Sequence, residues 1–111
     1  MKVKDIINNT LAVSADEGQK VYEVVADSIS NGQAIELDFK GIEILTTAFL
    51  NAAIGQLYSR FSSEQLNKFL KIIYIEESDT KLIYKVVKRA KEYFADRNNF
   101  SQSANAAIYG A

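Results

Sequence analysis

The stretch from Ile35 to Leu50 constrains the fold more than any other part of this chain. Ile35, Leu37 and Phe39 alternate with Glu36 and Asp38, the period of two expected of a strand with one buried and one wetter face. Gly41 then interrupts the pattern, and Thr46-Thr47 stands ahead of the apolar run Ala48-Phe49-Leu50, as a hydroxyl cap stands ahead of a helix. A strand, a glycine turn and a capped helix in direct succession put a hydroxyl at the positive end of a helix, beside the carboxyl end of a strand. In open α/β sheets that junction is a favoured place for a ligand or partner to bind.

The flanking sequence predicts the same alternation of elements. Val3 to Ile7 reads as a short strand, Asn8-Asn9-Thr10 as a turn, and Leu11-Ala12-Val13 as a second brief extended piece. Ser14-Ala15-Asp16-Glu17 has the form of a capping box, and Val21, Val24, Val25 and Ile29 follow at helical spacing until Asn31-Gly32. After the threonine pair, Leu50, Ile54, Leu57 and Phe61 form one apolar stripe of a second helix. Ser62-Ser63-Glu64-Gln65 is a further capping box, opening a short helix to Lys68. Phe69 to Ile75 is short and almost continuously apolar, as an interior strand covered on both faces is. Glu76-Glu77-Ser78-Asp79 caps a third helix whose stripe is Leu82, Ile83, Val86, Val87, Ala90 and Phe94. Strands alternating with helices predict an α/β domain over residues 1–97, with helices on a small, mainly parallel or mixed sheet. Residues 98–111 read as a tail able to dock through Phe100, Ile108 or Tyr109.

Composition removes most reaction classes. The chain has 111 residues with no histidine and no cysteine, which excludes imidazole-based triads, thiol nucleophiles, disulfides and the usual zinc sites. Acid–base work falls to Asp, Glu, Lys or Tyr, and no glycine-rich phosphate loop accompanies them. A formal net charge of -1 gives no overall pull towards nucleic acid or an acidic membrane, and little resistance to forming a homodimer. The longest apolar runs fall well short of the ~20 residues of a membrane span, and Met1 to Asp5 lacks a signal-peptide apolar region. A soluble cytoplasmic protein is the expectation.

At the strand–turn–helix segment the chain resembles the STAS superfamily, the fold of bacterial anti-sigma-factor antagonists. Within that superfamily it is most similar to the STAS-like domains of unknown function of bacteria and their phages. The resemblance lies in the alternating strand, the turn with Gly41, apolar Ile42 and Ile44, the hydroxyl pair, and the helix opening Phe49-Leu50. It runs from about Ser14 to Phe94. In the antagonists the helix opens Asp-Ser-Ser-Gly, and the first Ser is phosphorylated by the anti-sigma factor, a histidine-kinase-type ATPase, which breaks their complex. Thr46 occupies the Asp position here and Thr47 that of the modified Ser, while Ala48 and Phe49 replace Ser-Gly. The resemblance therefore implies a regulatory signalling module that binds another protein; no cofactor or metal is expected.

Two readings of the threonines stand side by side. Either Thr46 or Thr47 simply caps the helix, worth ~1 kcal/mol, or Thr47, with Thr46 second, is a site of phosphorylation that resets a partner interface. The expected partner-binding residues are Asp38, Lys40, Gly41, Thr46, Thr47 and Asn51. Asp38 is also expected to accept from turn amides. Non-catalytic protein binding is the favoured function. One alternative is a small-molecule or nucleotide site at the same helix terminus; another is a carboxylate–metal enzyme built on Asp38. Lys81, Lys85 and Lys88 fall on one side of the third helix, near Arg89 and Lys91, and read as a solvated face with no nucleic-acid role.

Overall fold

A computed structural model describes the backbone of residues 1–106 and the side chains of residues 1–94. Helix α1 (Val3–Ile7) leads to β1 (Leu11–Ala12), α2 (Ala15–Ser30), β2 (Ile35–Asp38) and β3 (Ile44–Leu45). Helix α3 (Thr47–Ala53), a 3-10 helix (Gly55–Ser59), α4 (Ser63–Phe69), β4 (Leu70–Ile73) and α5 (Glu77–Ala106) complete the order. The strands form two parallel pairs, β1 with β3 and β2 with β4. In the second pair Ile35 lies opposite Leu70 and Asp38 opposite Ile73.

The first segment departs from the expected strand. Val3 and Ile7 are both buried, and a spacing of four serves a helix as well as it serves a strand. Asn8, in the left-handed region at φ 54, closes that helix. The pairing expected of Val3–Ile7 is made instead by the two residues ahead of it: Lys2 bridges Asp38 in parallel, and Asp38 N–H donates to the Met1 carbonyl at 2.9 Å. β2 therefore lies between Met1-Lys2 and β4. This placement buries Asp38 on what the alternation marks as the wetter face.

Helix α2 starts and stops where its signals lie. Ser14 accepts from Glu17 N–H at 3.1 Å, which is one half of the capping box. Glu17 does not return the bond; its carboxylate takes the Ser14 hydroxyl and the Asn9 amide instead. The second box is complete, with Ser62 and Gln65 each bonding the other's backbone N–H. It carries α4 to Phe69, one residue into the expected strand.

The expected second helix breaks into two pieces at Ile54, yet its stripe survives, with Leu50, Ile54 and Leu57 all buried. The break lets the 3-10 helix pack under α5, where Gly55 lies against Val86. Strand β4 is half-buried rather than covered on both faces, and its only strand partner among the described residues is β2. Its apolar run reflects one packed face and a partly open outer one.

The core sits between α2, α3 and the strands, around Val21, Val25, Leu37, Phe49, Leu50 and Leu57, all at 0% exposure. Fully burying a side chain such as Phe49 contributes roughly 1.5–3 kcal/mol. Helix α5 adds Val86 and Ala90 from its inner stripe. It runs through position 98, where the tail was expected, to Ala106. Of the proposed tail anchors, the Phe100 side chain, Ile108 and Tyr109 lie outside the described residues.

Candidate protein-interaction surface

The turn after β2 is built by Asp38 and Gly41. Asp38 Oδ1 accepts from Lys40 N–H at 2.8 Å, and Ile42 N–H returns to the Phe39 carbonyl at 3.1 Å. Gly41 takes φ +89, as the third residue of a type II turn requires. A Cβ there would also lie 3.0 Å from the Lys4 side chain. The expected turn role of Asp38 is thus seen, but its burial takes its carboxylate out of the exposed surface.

From the turn the chain enters β3, where the sequence predicts only a turn leading directly to the helix. Leu11 lies opposite Ile44 and Ala12 opposite Leu45. Alternation sends Ala12 and Leu45 into the core and the other pair outwards. Leu11, Val13 and Ile44 are consequently 39%, 42% and 52% exposed, an apolar outer face on a two-stranded ladder.

This face runs directly into the start of α3. Thr46 is the N-cap: its Oγ1 accepts from Phe49 N–H at 3.2 Å and donates to the Val13 carbonyl at 2.7 Å. Thr46 N–H donates to the Ala12 carbonyl at 3.1 Å. Thr47, the first helical residue, is half-buried, and its hydroxyl makes no hydrogen bond among the described residues. The cap and the unengaged hydroxyl are therefore different residues. Phe49 is fully buried, so its bulk faces the core and leaves the surface of the helix start to Ala48.

The expected site residues divide into three places. Thr46 and Thr47 border the apolar face. Lys40 and Gly41 line an open cavity of about 310 Å³ at the carboxyl ends of β2 and β4, together with Tyr74 and Glu76. There the Lys40 amine sits 5.7 Å from the centre of the Tyr74 ring. Tyr74 is 67% exposed and holds φ 54, a conformation uncommon for an aromatic residue. Asn51 belongs to neither place, since it lines a groove of about 350 Å³ with Gln56, Arg89 and Tyr93.

Tyr74 is placed at a rim able to contact a partner by its sequence context, whereas Leu11, Val13 and Ile44 are not marked as surface residues: Leu11-Ala12-Val13 and Ile44-Leu45 are apolar throughout, and only the β1–β3 pairing assigns them an outer face. Among the described residues no three Asp, Glu, His or Cys side chains gather where a metal ion would sit, and no helix is long and apolar enough to cross a membrane.

A strand, a type II turn, a short parallel ladder and a hydroxyl-capped helix define a small STAS-like α/β domain. The chain belongs to the family described as STAS-like domain of unknown function (DUF4325), whose model matches residues 17–80. The match takes in most of α2, the turn, the ladder strand β3, α3 and β4. No curated protein and no solved structure matches the chain.

Proposed function

We propose that this domain is a non-catalytic regulatory module that binds another protein through the outer face of the β1–β3 ladder and the start of α3. The observation that carries this reading is the exposed trio Leu11, Val13 and Ile44 abutting the Thr46 cap. Isolated exposed apolar residues are ordinary, whereas a contiguous group on one ladder face supports the reading of an interaction site. Resemblance to the anti-sigma-factor antagonists suggests a histidine-kinase-type ATPase domain as the partner class.

Thr47 is the proposed switch. Its hydroxyl is unengaged, and a phosphate there would carry ~1.5–2 negative charges. The nearby helix amides favour that charge. A partner covering Val13 and Ile44 would have to desolvate it, so modification releases the partner. Crosslinked capture from the native host tests the reading, with wild type, Ile44→Lys, Thr47→Glu and a Glu64→Lys control as baits. A partner held by wild type and the control but lost from the other two supports it. Equal capture by all four overturns it.

A further inference from the structure

Two exposed faces of this molecule are opposite in charge, and each carries apolar surface. At the amino end of the β1–β3 face, Asn9 Nδ2 donates to Glu17 Oε2 at 3.2 Å and Thr10 Oγ1 donates to Glu43 Oε2 at 2.7 Å. Asn9 and Thr10 directly precede Leu11, so two carboxylates are fixed beside the apolar trio. No Lys or Arg occurs in residues 8–19 or 42–59, the segments that build this face.

The outer side of α5 is the converse. Lys81, Tyr84, Lys85 and Lys88 share one helical face by their three- and four-residue spacings. All four are exposed, Tyr84 at 68%, and they point away from buried Val86 and Ala90. Residues 80–91 hold no acidic side chain, and Lys81, Lys85 and Lys88 make no ion pair among the described residues.

We infer that the α5 face of one copy docks on the β1–β3 face of a second copy, with Tyr84 against Leu11 and Ile44 and the lysines against Glu17 and Glu43. A net charge of -1 supplies little general repulsion between copies, so local complementarity decides how they meet. The contact joins two different surfaces, so each copy keeps one of each kind free and assembly proceeds head to tail. The apolar area is small and the charges are exposed, which makes the association weak and strongly dependent on salt. Self-association covers the face assigned above to a partner, so the two compete.

Sedimentation of the purified full chain over a range of concentrations tests this without any partner. In about 0.02 M salt the weight-average mass is expected to rise with concentration beyond that of a dimer, and in about 0.5 M salt to return to the monomer. Ile44→Lys blocks one face and Tyr84→Glu the other, so each variant alone stays monomeric. An equimolar mixture of the two retains one good contact per pair and forms dimers that grow no further. Glu43→Lys replaces Ile44→Lys if circular dichroism shows that the latter has lost its fold. A wild-type chain that is monomeric in low salt overturns the inference, as does a mixture that stays monomeric. Self-association that survives both single substitutions overturns it too. Failure of partner capture leaves these outcomes unaffected, because they concern the isolated chain.

Discussion

The Thr46 hydroxyl donates to the Val13 carbonyl at 2.7 Å while accepting the Phe49 N–H at 3.2 Å, so one side chain ties β1 to the first turn of α3. Thr46 is one residue ahead of Thr47, the proposed switch. Its two bonds make Thr46, and not Thr47, the residue that caps α3. Thr46→Ala removes a helix cap worth ~1 kcal/mol and a cross-element hydrogen bond worth about another 1 kcal/mol. The expected loss of about 2 kcal/mol is read from urea unfolding. Thr47→Ala is expected to stay within about 0.5 kcal/mol of wild type, as substitutions away from caps and cores do. Equal losses for the two would assign both hydroxyls to structure.

Packing of α2 on α3 depends on Gly18. A Cβ there would run into the Phe49 carbonyl and would lie 2.8 Å from the Ala52 Cβ. Alanine returns about 1 kcal/mol of helix propensity, but the obstructing atom is backbone and cannot rotate aside. Gly18→Ala is therefore expected to cost a net 1–3 kcal/mol or so, the usual range for overpacking. Gly32, with φ +72 and open space around it, is the contrasting position, where the penalty is conformational and not steric. Thermal unfolding of the Gly18 variant checks the size of the effect.

The helix caps were legible in the sequence, and the close approach at Gly18 was not. The Ser14, Thr46 and Ser62 caps are local signals, because a hydroxyl and a backbone N–H three residues on meet through helix geometry alone. The β2 strand, the Gly41 turn and the STAS-like class follow from the same kind of local pattern. Val3–Ile7 is a helix where its sequence predicts a strand, because burial at both ends fits either period and Met1-Lys2 takes the place beside Asp38. β3 was invisible because two residues show no period; only its pairing with Leu11-Ala12 makes it a strand. The same non-local pairing turns Leu11 and Ile44 outwards, so the apolar part of the candidate surface could not be read from composition.

Tyr74 ends β4 in the left-handed region, where a bulky side chain typically costs roughly 1–2 kcal/mol. Its ring is 67% exposed, so little buried area offsets that cost. The contact with Lys40 is an exposed cation–π pair, worth about 0.5–1 kcal/mol. Asparagine adopts this conformation readily, so Tyr74→Asn is expected to be neutral or to stabilise the fold by up to about 1 kcal/mol. A loss of more than about 1 kcal/mol would show that the ring is held by packing that its exposure does not reveal. Urea unfolding beside Lys40→Ala separates the strain from the cation–π contribution.

Tyr58 contributes to how the domain's stability falls at alkaline pH. The residue is half-buried against the core, and the desolvation that comes with burial raises its pKa above the ordinary 10.0. The folded state therefore keeps its proton more tightly than the unfolded chain does. Below the unfolded pKa both states are protonated, and this contribution to stability is fully present. As pH rises beyond it the unfolded chain ionises first, and stability is lost until the folded-state pKa has been passed. Lysines titrate in the same range, so the measurement is the difference between wild type and Tyr58→Phe, not wild type alone. That difference is expected to be constant from about pH 7 to 9 and then to shift against wild type above about pH 10. Unfolding curves that stay parallel throughout would show that Tyr58 is solvated in the folded protein as fully as in the unfolded chain.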